Sequence, residues 1–299
     1  MAGKRFNPLE FLPSGARLRQ LQIVAQRLVE SLLAGNYRSV FKGTGIEFDE
    51  VREYVEGDDT RLIDWNVSSR FGQVYTKTFR EEREMTLFLV VDISGSLNYG
   101  SATRSMREAA LIASTLLTLA AVQNNDKVGG TLFTGDIETW VNPAKGRNHA
   151  LRLLQEIISH EPQYEGSNLG KVLRVVTESL KRRGILVIIS DFLTMDYQRE
   201  LALAAKRHDV IAIRLHDPVM RNLPDFPLVA AGDPESGHTL FINGRSRRFR
   251  FSFDQFWRQQ QQQWLRECSR RGISAIEIST VDNVAERLIT YFRRRSVRR

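Results

Sequence analysis

Residues 85–98, MTLFLVVDISGSLN, constrain this chain more than any other stretch. Positions 87–91 form a continuous apolar run rich in branched and aromatic side chains. A strand buried on both faces of a parallel sheet reads this way. The run stops at Asp92, and Ser94 and Ser96 follow at alternating positions around Gly95. A carboxylate leaving the end of a buried strand, followed at once by two hydroxyls, is costly unless something uses it. In doubly wound sheets the ligand crevice lies beyond the carboxyl ends of the strands. Asp92, Ser94 and Ser96 are therefore expected to begin a site for a hard cation, because Mg2+ favours carboxylate, hydroxyl and water oxygens.

The chain downstream repeats the pattern. Residues 185–189 and 210–215 read as further buried strands, with additional strands at 127–133, 137–141 and 273–278. Helices are expected over 102–123, 148–159, 171–183, 196–207, 254–271 and 281–294. This alternation predicts an α/β fold, an open, doubly wound, mostly parallel sheet with helices on both faces. Gly129-Gly130 inside a strand predicts close backbone approach. The strand at 185–189 runs into Ser190-Asp191, again an acid at a carboxyl end, and Ser167 sits in the loop before a helix. Three separate loops thus carry oxygen ligands to one edge: Asp92, Ser94 and Ser96 from the first, Ser167 from the second, Asp191 from the third. Residues 216–250 break the alternation with four prolines and a scatter of glycines. They read as a loop-rich insert, with a hairpin expected between 239–243 and 248–252. The organisation expected is an N-terminal extension, 1–84, and an α/β domain, 85–299.

Within the extension, 16–33 carries a helical apolar stripe, with Ser14 placed to cap it and Gly35-Asn36 to end it. Gly43 and Gly45 mark a turn but lack the Gly-Lys-Ser/Thr ending of a phosphate loop. Asp58 or Asp59 is expected to cap a short helical turn over 61–66, and Arg52 and Arg61, with their acidic neighbours, to form local ion pairs. A catalytic carboxylate pair there would lack a nucleophile or base partner. Residues 74–79 alternate like an edge strand.

Composition narrows the function classes. No apolar run approaches the ~18 residues of a membrane span, and no leader-like segment opens the sequence, so a cytoplasmic protein is expected. Cys268 is the single cysteine, which excludes an intrachain disulfide and a cysteine metal cluster. Net charge is +8, with arginines at 245, 247, 248 and 250 and again over 293–299. No nucleic-acid motif accompanies them, so nucleic-acid binding through the arginine clusters is the lesser reading and a solvated surface the greater. A serine hydrolase using Ser94, with His216 as base and Asp191 to orient it, is a further alternative. Its weakness is that Asp92 occupies the first Gly position of the nucleophile elbow. An aspartyl-phosphate enzyme would want a carboxylate two residues after Asp92, where Ser94 stands.

The order Asp92-x-Ser94-x-Ser96, Ser167, Asp191 resembles the metal-ion-dependent adhesion site of von Willebrand factor A domains. The resemblance implies that these residues hold Mg2+, or Mn2+ or Ca2+, and that a partner's carboxylate fills an open metal position. Ser167 departs from that pattern, which has Thr, but keeps a hydroxyl. A closer likeness joins GTGIEFDEVREYVEGDDTRLIDW to VVDISGS. It is similar to the bacterial family called domain of unknown function 58, von Willebrand factor A-like proteins associated with MoxR-type AAA+ ATPases. That resemblance implies a non-enzymatic, chaperone-like binding module. Its partners would be an AAA+ ATPase and a client protein offering an exposed Asp or Glu. Many members carry N-terminal membrane spans; this sequence resembles the branch without them.

Overall fold

The computed structural model describes residues 47–80, 85–101, 104–220, 223, 225–232 and 239–297. The helix expected at 16–33 and the turn at 43–45 lie outside them. The described residues fall into two compact units, one within 41–85 and the other from Thr86 onward.

The first unit is a small antiparallel ribbon, β1 (Glu47–Glu53) against β2 (Tyr75–Arg80), joined through a short helix α1 (Trp65–Phe71). Its acidic residues are spent on local structure. Asp58 pairs with Arg52 at 2.7 Å and accepts the Val55 amide at 3.0 Å. Asp59 caps a 3-10 turn over Thr60–Leu62, and Asp64 caps α1 through the amides of Asn66 and Val67. Asp59 and Asp64 stabilise orphan amides at helix starts, and all three carboxylates are held below the usual pKa, by backbone donors first for Asp58 and Asp64 and by the Arg61 side chain first for Asp59.

The second unit is built on a six-stranded sheet in the order β10-β7-β6-β3-β4-β5. Its strands are β3 (Thr86–Asp92), β4 (Lys127–Phe133), β5 (Ile137–Ala144), β6 (Ile185–Ser190), β7 (Asp209–His216) and β10 (Ser274–Ser279). All neighbours pair in parallel except β5, which closes one edge antiparallel to β4. Helices α2 (Met106–Gln123), α3 (Arg147–Ser159), α4 (Leu169–Ser179), α5 (Gln198–Arg207), α6 (Arg247–Arg270) and α7 (Val284–Val297) cover both faces. The run at 87–91 is the sheet's centre, and every residue of it is buried.

Registers show how the strands deliver the rim. Phe88, Leu186 and Val210 form one row across β3, β6 and β7, and Val90, Ile188 and Ala212 form the next. Side chains alternate between faces with period two, so both rows point to one side. There they pack on Leu169, Val172, Leu173, Leu201, Trp264 and Cys268 from α4, α5 and α6. One row further on, the same face carries Asp92, Ser190 and Arg214. The opposite face receives α2, whose Ser105 and Glu108 form a capping box at its start. The close approach expected at Gly129-Gly130 is present. A Cβ on Gly129 would lie 2.7 Å from the Pro143 nitrogen, and one on Gly130 would lie 2.9 Å from the Leu89 carbonyl oxygen.

The insert differs from expectation. Thr239–Asn243 (β9) pairs with Leu228–Gly232 (β8), not with 248–252. Residues 248–252 already belong to α6, which begins at Arg247 with Ser246 accepting the Phe249 amide. Phe249, Phe253 and Trp257 explain the choice. At i, i+4 spacing their rings meet, the first pair tilted and the second edge-on, with centroids 5.9 and 6.0 Å apart, a contact that a helix supplies. Several other helices start later or end earlier than their apolar pattern suggests; α4 stops at Ser179 rather than 183.

Candidate functional site

Asp92 ends β3 fully buried, and its backbone is still in register with Phe133 of β4. The chain then turns through a 3-10 segment, Gly95–Asn98, which carries Ser96 back over the strand end. Ser94 donates its amide to Asp92 Oδ1 at 2.9 Å, and its hydroxyl lies 3.2 Å from that of Ser96. Ser96 Oγ donates to Asp191 Oδ2 at 2.8 Å, which joins the first loop to the third. Ser167 Oγ donates to Asp92 Oδ2 at 3.2 Å, which joins the second loop to the first. All five residues singled out in the sequence thus lie in one hydrogen-bonded cluster at the carboxyl rim of the sheet.

The loops are held by contacts that are themselves readable. Asn168 caps α4 by accepting the Lys171 amide, and its own amide donates to the Thr134 carbonyl at 2.9 Å. Gly135 lies so close to the Glu165 carbonyl that any side chain there would collide with it. Buried Glu138 accepts from Thr134 Oγ1 and from the amides of Gln163 and Tyr164, fastening the loop that leads to Ser167 onto β5. After Asp191 the backbone takes left-handed conformations at Phe192 (φ 56°) and Asp196 (φ 60°). Such backbone is costly for a bulky aromatic. Phe192 is kept there by its ring, packed on Tyr197 and Trp264, and by its amide, which donates to Ser190 Oγ. Thr194 Oγ1 donates to the Ser167 carbonyl, linking the second and third loops.

Sequence reasoning missed Ser190 and Arg214. Ser190 Oγ donates to Asp92 Oδ2 at 2.7 Å. Arg214 lies over the Trp264 ring, 5.6 Å from its centroid, and its charge favours the ionised form of Asp191. Both follow from register: they share the row of Asp92 on the same face. The apolar-run criterion that located the strands gave no weight to that row.

Electrostatics separate this cluster from an ordinary polar patch. Burial, reinforced by the nearby Asp191 charge, pushes Asp92 up to about 6, against the opposing pull of Ser94 and Ser190. Burial also raises Asp191, offset in part by Leu193 N, Ser96 and Arg214. Two carboxylates sharing a dry site cannot both ionise cheaply. Two carboxylates with Ser94, Ser96 and Ser167 are the oxygen donors that Mg2+ or Mn2+ takes, and a divalent cation would relieve the repulsion that raises these values. Among the described residues no group of three or more His, Cys, Asp or Glu side chains converges to hold a metal.

Comparison with known proteins places the chain. The family model described as "Protein of unknown function DUF58" matches residues 50–263. Uncharacterized protein Mb1516 of Mycobacterium bovis and uncharacterized protein Rv1480 of Mycobacterium tuberculosis are each 33% identical over 225 residues, 74% of this chain and 71% of theirs. Among solved structures, a conserved hypothetical protein BatB from Bacteroides thetaiotaomicron aligns with a TM-score of 0.47 at 16% identity, over 71% of this chain and 99% of that one. The SpRpn10 VWA domain aligns with a TM-score of 0.41 at 9% identity, over 69% and 94%. No helix among the described residues is long and apolar enough to cross a membrane.

Proposed function

The chain belongs to the DUF58 family, and from that premise we propose that it is a non-enzymatic, metal-dependent protein-binding adaptor acting in the cytoplasm. The observation that carries this reading is the meeting of Asp92 and Asp191, from the ends of different strands, in one buried cluster linked through Ser94 and Ser96. In this reading Asp92, Ser94, Ser96, Ser167 and Asp191 hold Mg2+, directly or through water. The ion, when bound, supplies an electrophilic position that a partner's Asp or Glu completes. Ser190 keeps Asp92 oriented, and Arg214 favours the charged form of Asp191. The partners proposed are a MoxR-type AAA+ ATPase and a client protein in maturation or assembly.

The hydrolase alternative gains little from the geometry. Ser94 is buried, its hydroxyl lies against that of Ser96, and Asp191 accepts from Ser96 and Leu193 rather than standing as the orienting acid of a relay. Titration calorimetry with Mg2+ and Mn2+, alongside capture of the AAA+ partner, tests the reading. Wild type should bind the ion and the partner, and Asp92→Ala should lose both. Absence of ion binding together with intact capture by Asp92→Ala would overturn it.

A further inference from the structure

Four large apolar side chains stand in solvent around the rim: Tyr99 (48% exposed), Tyr164 (53%), Leu193 (42%) and Met195 (84%). Each belongs to a loop that brings in a site residue. Tyr99 follows Ser96, Tyr164 precedes Ser167, and Leu193 and Met195 follow Asp191. Single exposed apolar residues scattered over a surface need no explanation, but apolar side chains gathered around a concentrated polar site mark an interaction surface.

The third loop shows that this exposure is built in. Along it Phe192 is buried, Leu193 is exposed, Thr194 is half-buried and tied to the Ser167 carbonyl, Met195 and Asp196 are exposed, and Tyr197 is buried again. The left-handed backbone at Phe192 and Asp196 brackets the segment, and the Leu193 amide is fixed on Asp191 Oδ1 at 3.0 Å. Turning Leu193 inward would break the bond that orients Asp191. Unusual backbone held in place by its surroundings is characteristic of binding sites.

Resting on the metal-site reading above, we infer that Tyr99, Tyr164, Leu193 and Met195 form an apolar collar around it. The occupant is a segment of another protein in which an Asp or Glu is flanked by apolar residues such as Leu, Met or Phe. Charge selects the central residue. A divalent cation offsets Asp92 and Asp191, and a coordination position left open on it takes an anionic oxygen. Apolar contact selects the flanks. A carboxylate alone is poor identification, since acids cover most protein surfaces, whereas methyl-rich and aromatic neighbours are seldom exposed beside one.

The test is a library of immobilised peptides, each with a central Asp or Glu and randomised flanks, probed with the full chain in Mg2+ and again in EDTA. Capture should require Mg2+ and should enrich Leu, Met or Phe beside the acid. The double variant Tyr99→Ser, Met195→Ser should lose that flank preference and at least about tenfold in affinity for the enriched peptides, while calorimetry finds its Mg2+ affinity unchanged. Mg2+-dependent capture of acidic peptides whatever their flanks would overturn the collar and leave the metal reading standing. Neither Mg2+ binding nor Mg2+-dependent capture would overturn both.

Discussion

Two buried acid clusters sit along the same edge of the sheet, and they have opposite characters. Asp217, just beyond β7, is fully buried, as Asp92 is. It accepts from the Ser101 amide and hydroxyl, the Val219 amide and the Thr280 hydroxyl, so both of its oxygens are satisfied by neutral donors. Those bonds outweigh its burial and hold it below the usual aspartate range. Asp92 has donors too, but its deeper desolvation, with the Asp191 charge added, outweighs them and it is pushed up instead. The same element end thus gives a fastening in one place and an unbalanced pair in the other. What differs is how far the carboxylate is desolvated and whether a second one shares the space.

The largest test of this contrast is Asp217→Ala. It leaves several buried donors without an acceptor and should cost on the order of 3–5 kcal/mol in denaturant unfolding, with Mg2+ affinity unchanged in whatever remains folded. A loss under about 1 kcal/mol would mean the two clusters are not different in kind. Asp92→Asn should go the other way. Removing one of two competing charges should raise metal-free stability at pH 7 by on the order of 1–3 kcal/mol, while Mg2+ binding weakens by well over about tenfold. If this variant is destabilised as much as Asp217→Ala, the pair is a fastening after all.

Acidity sharpens the same comparison. Asp92 holds a proton in the folded chain that the unfolded chain releases, so its contribution is present below the usual 3.8 and is lost as pH rises towards about 6. Asp217 works in reverse: its contribution is present above the usual aspartate value and fades as pH falls through its lowered one. Metal-free wild type should therefore lose up to about 1 kcal/mol per pH unit between roughly pH 4 and 6 relative to Asp92→Asn. Parallel pH profiles of the two proteins would refute the assignment. The smallest effect is expected from Ser167→Ala. Its 3.2 Å bond to Asp92 is half-buried, so metal-free stability should stay within about 0.5 kcal/mol of wild type, while Mg2+ affinity falls several-fold.

The fold was legible because buried parallel strands leave little room for ambiguity. The runs at 87–91 and 185–189 have no polar face, and an acid at the end of each marks a strand's carboxyl terminus. The site residues followed from those endpoints. Ser190 and Arg214 were not found because a serine and an arginine inside apolar runs carry meaning only once the strands are in register. Asp217 was obscured by the proline-rich segment it opens, where composition says loop and nothing says that Ser101 and Thr280 converge on it. The mispaired hairpin has a different cause. RFRFSF alternates with the period of a strand, but its phenylalanines also recur at helical spacing, and the Ser246 cap with the Phe249–Phe253–Trp257 stack decides for the helix.

The antiparallel edge strand β5 has an effect beyond closing the sheet. Pro143 gives it a position with no amide to offer, and its ladder with β4 slips twice, between Val128 and Gly130 and between Leu132 and Phe133. A second copy sliding alongside would meet an interrupted row of donors on a kinked strand, a poor template for continuing the sheet. Among the described residues, that flank therefore resists pairing edge to edge with a second copy.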